Sequence, residues 1–124
     1  MKTRYAELPA YTTRDASEIR ELLHPDVHAA LGVRHQSLAE ARVAPGAATV
    51  LHRHHRSEEI YHITAGGGRM TLGEETFTLR AGDTVCITPG TPHRLENTGD
   101  TPLVVLCACS PPYAHDDTEL LEAP

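Results

Sequence analysis

His52 and His54 flank a single arginine, a spacing that aims both imidazoles at one point only if the backbone is extended. In a strand, residues i and i+2 share a face, so an H-x-H pair presents two donors side by side. Glu59 follows five positions after His54, and His93 follows thirty-nine positions after His54 in the run Pro89-Gly90-Thr91-Pro92-His93. Three imidazoles and one carboxylate suit a divalent transition metal, with bonds of roughly 2.0–2.2 Å to nitrogen and oxygen. Nine histidines in 124 residues would produce an H-x-H pair by chance, so its surroundings must decide.

Those surroundings alternate with a period of two. His35, Ser37, Ala39, Ala41 and Val43 share one face, and Pro45-Gly46 then turns the chain. Ala48, Val50, His52 and His54 are expected to line one face of the next strand. Beyond them Glu59, Tyr61 and Ile63 alternate with Glu58, Ile60 and His62, and this phase selects Glu59 over Glu58 as the fourth ligand. Val85 and Ile87 point inward with Cys86 opposite, and His93, Leu95 and Asn97 share a face. Gly66-Gly67-Gly68 and Gly73-Glu74 are turn signals bracketing a strand at 69–72, and Asn97-Thr98-Gly99-Asp100 predicts a hairpin turn into an apolar strand at 103–109. Strands about 8–12 residues apart with Gly/Pro punctuation imply an all-β sandwich or barrel.

Composition removes several classes of function. A net charge of −6, with ten arginines scattered singly and one lysine, offers no basic patch for nucleic acid. No run approaches the ~18–20 apolar residues of a membrane span, and the N-terminus has no apolar signal core, so a cytoplasmic location is expected. Cys107 and Cys109 lie side by side on one strand face with poor disulfide geometry, and read as small buried hydrophobes. No Ser/His/Asp or Cys/His nucleophile arrangement stands out. The glycine triplet lacks the lysine of a phosphate loop. Alternation places His55 and His62 outside, His35 reads as solvated, and His24, His28 and His115 have no identifiable partner in the sequence.

Two motifs carry a family resemblance. Residues 46–66 read G-x5-H-x-H-x4-E-x6-G, and residues 82–97 read G-x5-T-x-G-x2-H-x3-N. In that order they resemble the paired signature of the cupin superfamily, in its small single-domain, metal-binding form. The resemblance extends over roughly 30–110, and Thr88 stands where the family usually has proline. It implies an all-β, double-stranded β-helix (jelly-roll) barrel over 31–110. Before the barrel, residues 1–30 are expected to pair across a homodimer. Ser17 to Pro25 fits either a capped helical turn or a strand, and the resemblance favours an extended 18–22. After it, residues 111–124 should pack over the outside or fray.

The resemblance further implies one divalent metal ion held by His52, His54, Glu59 and His93. Iron or manganese is favoured, with nickel or zinc possible. Val50, Tyr61, Phe77 and Leu95 are expected to line the pocket, and Phe77 and Met70 to pack in the core. Small cupins include dioxygenases, isomerases and epimerases, lyases and cyclases acting on small polar or phenolic molecules. Tyr61 is the candidate for proton handling, set evenly against a core-filling role. A non-catalytic, metal-dependent binding or sensor module is the alternative function.

Overall fold

The alternating stretches form eleven strands arranged in two antiparallel sheets. The computed structural model describes residues 1–124. One sheet runs in the order β1 (Ala10–Thr12), β2 (Glu18–Leu23), β3 (Ser37–Val43), β10 (Leu103–Ser110), β5 (Glu58–Ala65) and β8 (Thr84–Ile87). The other runs β11 (Thr118–Leu120), β4 (His52–His54), β9 (His93–Glu96), β6 (Gly67–Leu72) and β7 (Glu75–Arg80). No helix is long and apolar enough to cross a membrane.

Inward-facing residues of both sheets make one core. Ile63, Met70, Ile87, Leu95, Leu103 and Val105 are each at most 2 % exposed. Truncating one such side chain to alanine costs about 2–5 kcal/mol, because the neighbours collapse only partly into the space. In β3 the expected phase appears as buried Ser37, Ala39, Ala41 and Val43, with exposed Leu38 between them. Residues 18–22 are extended within β2, whose partner is β3 of the same chain.

Four expectations need correction. Gly67 and Gly68 belong to β6, so the triplet is no hairpin turn. The chain changes sheets at Gly66, and a Cβ on Gly66 or Gly68 would collide with the backbone oxygen of Pro102 or Glu96 respectively. These glycines permit close backbone approach. Asn97 to Asp100 likewise joins different sheets, with the Asn97 amide donating to the carbonyls of Val43 (2.9 Å) and Thr101 (2.8 Å). Ala48 is exposed while Thr49 and Val50 are both buried, because regular strand geometry begins only at His52.

Fourth, the C-terminal tail does not fray but adds a strand at the edge of the five-stranded sheet. A 3-10 turn at His115–Asp117 leads into β11, which pairs with β4. The buried Asp117 carboxylate fixes it, accepting from the backbone N–H groups of Arg56 (2.9 Å) and Ser57 (3.1 Å) and from Arg56 Nε (3.1 Å). His24 is another tail anchor, 6 % exposed, with its Nε2 2.7 Å from the Tyr113 carbonyl. His28 Nδ1 accepts from the His24 backbone N–H, and His115 Nδ1 pairs with the Tyr113 hydroxyl.

Candidate metal centre and cavity

β4 and β9 are neighbours, and their one paired position sets His52 directly opposite His93. The two rings lie 4.2 Å apart by centroid, with His54 5.2 Å from His52 and 5.4 Å from His93. One ring nitrogen from each histidine falls within 4.8 Å of the others, and all three residues are buried. Glu59 arrives from the facing sheet, its Oε1 3.3 Å from His54 Nε2 and 3.5 Å from His93 Nε2. The turn of the second motif locks the frame, because the Gly90 N–H donates to the His54 carbonyl at 2.7 Å. Gly90 itself has φ +80°, a conformation that favours glycine.

The other nitrogen of each ring is tied to an oxygen. His52 Nδ1 meets the Val50 carbonyl at 2.7 Å, His93 Nδ1 the Thr91 carbonyl at 2.9 Å, and His54 Nδ1 the Thr118 hydroxyl at 3.0 Å. A carbonyl can only accept, so the Nδ1 atoms of His52 and His93 carry the proton and their Nε2 atoms present lone pairs. His93 Nε2 and Glu59 Oε1 are buried without any hydrogen-bond partner. Burying such atoms unsatisfied costs about 1–3 kcal/mol each, so their convergence calls for a positive ligand.

The charge states of His52 and Glu59 agree with that assignment. Burial, reinforced by the neighbouring His93, pushes the His52 imidazole down to about 4, so it is neutral at pH 7. Burial would push the Glu59 carboxyl up, but the His54 and His93 imidazoles beside it outweigh this and hold the group well below the usual carboxylate range. Burial likewise pulls His54 down, but the Glu59 carboxylate more than reverses this, so His54 must release its proton for a cation to bind. A neutral imidazole and an ionised carboxylate are the protonation states a cation requires.

Beside the cluster lies a narrow cavity of about 40 Å³ that opens to solvent. Tyr61 and Leu95 line it, with the Tyr61 ring edge-on to His93 at 5.8 Å. Val50 and Phe77 do not line it. Val50 contributes its carbonyl to His52, whereas Phe77 sits on β7 opposite Met70 and packs against the core.

Several cavity residues escaped the sequence reading. Asp15 sits in the turn between β1 and β2 with Oδ2 3.5 Å from His52 Nε2, while its Oδ1 accepts from Thr13, from Ser17 Oγ (2.7 Å) and from the Ser17 N–H (3.1 Å). The next residue, Ala16, adopts φ +73°, which costs about 1–2 kcal/mol for a side-chain-bearing residue and is tolerated to make this turn. Cys109 is buried as expected, yet its thiol also donates to Glu59 Oε2 at 3.1 Å, and burial keeps that thiol protonated. Polar residues clustered in Thr12-Thr13-Arg14-Asp15-Ala16-Ser17 were the available signal for Asp15. Nothing in the sequence tied Tyr113 or Thr118 to the site.

A cupin domain family model matches residues 39–109. This chain is a cupin. Over 122 residues the cupin is 53 % identical to the uncharacterized protein MJ1618 of Methanocaldococcus jannaschii, covering 98 % of this chain and 95 % of that one. It is 39 % identical over 69 residues to the oxalate-binding protein of Thermotoga maritima, covering 55 % of this chain and 56 % of the relative. Among solved structures, an oxalate decarboxylase–formate complex from Lactobacillus farciminis superposes with a TM-score of 0.79 at 23 % identity. That likeness covers 94 % of this chain and 34 % of the decarboxylase, and it speaks to the fold, a double-stranded β-helix. This cupin thus spans about a third of the decarboxylase.

Proposed function

We propose that His52, His54, Glu59 and His93 hold one divalent metal ion and that the cupin is a metal-dependent enzyme on a small polar or phenolic molecule. The observation that carries this reading is the convergence of two buried, partnerless atoms, His93 Nε2 and Glu59 Oε1, beside imidazoles whose Nδ1 atoms are already engaged. Iron or manganese is the expected ion, with nickel or zinc the alternatives that metal analysis separates. A bound ion supplies Lewis acidity and, with iron or manganese, redox chemistry.

The chain's own groups divide the remaining work. Asp15 keeps Oδ1 occupied and leaves Oδ2 free at the cluster, placed to accept a proton from a bound hydroxyl. Burial drives the Tyr61 phenol far above its ordinary range, so it serves as a donor or wall and not as a base. Leu95 and the Tyr61 ring give the cavity apolar lining, the latter edge-on to His93. A binding module without turnover is the second reading, favoured by the relative named for oxalate binding. Oxygen uptake or product formation by metal-loaded protein supplied with phenolic substrates separates the two.

Chelation tests the metal directly. An ion at a thousand times its Kd stabilises the native state by about 4 kcal/mol, so EDTA should lower the melting temperature by on the order of 10 °C. A melting curve indifferent to EDTA, with no metal found by elemental analysis, would refute the site.

A homodimer is also proposed, with the outer face of the six-stranded sheet as its contact. Cross-strand pairing aligns Leu38, Ala108, Ile60 and Cys86 in one row, with Leu38 39 % and Ile60 48 % exposed. Ile60→Asp should convert the dimer to a monomer in size-exclusion chromatography; a wild-type monomer would dismiss the idea.

A further inference from the structure

Three carboxyl groups face one cavity, and no lysine or arginine lines it. Each has one oxygen occupied: Asp15 Oδ1 by Ser17, Glu59 Oε2 by Cys109, and Glu21 Oε1 by the Tyr11 hydroxyl at 2.7 Å. Each turns its second oxygen free. Asp15 and Glu59 are accounted for by the histidine cluster, with which both are in contact. Glu21 is not. It is 8 % exposed, its Oε2 is buried without a partner, and no cation pairs with it.

Strand register places Glu21 three strands across the sheet from Tyr61. Glu21 on β2, Ala39 on β3, Cys107 on β10 and Tyr61 on β5 form one inward row. Three inter-strand steps of about 4.8 Å separate the backbones of Glu21 and Tyr61 by roughly 14 Å. Between them in this row lie Ala39 and Cys107, both of which line the cavity. The cavity therefore carries the histidine cluster and, across Ala39 and Cys107 from Tyr61, a buried carboxylate with one free acceptor oxygen.

We propose that this cavity selects a molecule with an oxygen-bearing head for the metal, a flat or aliphatic body, and an ammonium or hydroxyl donor that reaches Glu21. This rests on the metal reading above, and charge arithmetic extends it. A divalent ion offsets the carboxylates of Asp15 and Glu59, so the charge left over is that of Glu21. A protonated amine neutralises it and a hydroxyl satisfies it, while a dicarboxylate such as oxalate adds negative charge and brings no donor. The ligand class thus departs from that named for the Thermotoga maritima relative.

The test compares two molecules that differ only at the far end: a catechol with an aminoethyl arm and a catechol with a carboxymethyl arm. Both are titrated calorimetrically into zinc-loaded protein, zinc being redox-silent, with zinc content measured on the same sample. The wild type should bind the amine at least about tenfold more tightly, and Glu21→Gln, folded by circular dichroism, should bring the ratio close to one. Equal or inverted affinities in the wild type overturn the proposal, as does a ratio that survives Glu21→Gln or a failure of both molecules to bind. A protein that cannot retain zinc sinks the metal reading instead. The same titrations without metal then decide the amine preference by itself.

Discussion

Replacing His93 with alanine should cut the metal content of the purified protein at least about tenfold, with the secondary structure retained. His93 is fully buried, and its Nε2 has no partner other than the proposed ion. Removing even the outer partner of a ligating histidine costs about 10–100-fold in affinity, so losing the ligand itself sets a higher floor. The change also removes one of the two imidazoles beside Glu59 Oε1. His62→Ala is the matched control, because His62 faces outward and bonds only Thr84. Elemental analysis after dialysis reads the result, and an occupancy equal to wild type would show that His93 is not a ligand.

Asp117→Ala should be the most destabilising change outside the core, lowering stability by about 2–4 kcal/mol and the melting temperature by on the order of 10 °C. Asp117 is 3 % exposed and satisfies two backbone N–H groups and the Arg56 guanidinium. Alanine leaves those donors without an acceptor. The next residue, Thr118, contacts His54 Nδ1, so metal affinity should fall together with stability. Asp116→Ala provides the comparison, since the Asp116 side chain is 85 % exposed and touches only Arg56. Equal melting temperatures for the two variants would show that the tail is not held by this carboxylate.

The histidine cluster was legible because its geometry depends on strand parity, a local property. His52 and His54 share a face wherever the segment is extended, and the phase of Tyr61 and Ile63 settled Glu59 over Glu58. Glu21, Tyr113 and Thr118 were not legible, because each reaches the cavity through a long-range pairing. Glu21 faces inward only because β2 docks on β3, and Thr118 meets His54 only because β11 docks on β4. Parity within a strand cannot say which strand lies beside it. The glycine triplet misled for a related reason. Glycine marks turns, but it also marks close backbone contact, and only the approach of Pro102 and Glu96 separates the two uses. Val50 failed because its inward phase assumed a strand beginning earlier than His52.

The residues matched by the family run from 39 to 109, yet Tyr11, Asp15, Glu21, Tyr113 and Thr118 all lie outside that span. The matched span carries the three histidines and Glu59, and the two flanking segments supply further lining residues, two of which touch the histidines. Such a division lets evolution, or an engineer, graft different ends onto an unchanged centre and so redirect what the protein admits. Diversity among relatives should then concentrate in these appendages, with the histidine frame passed on intact.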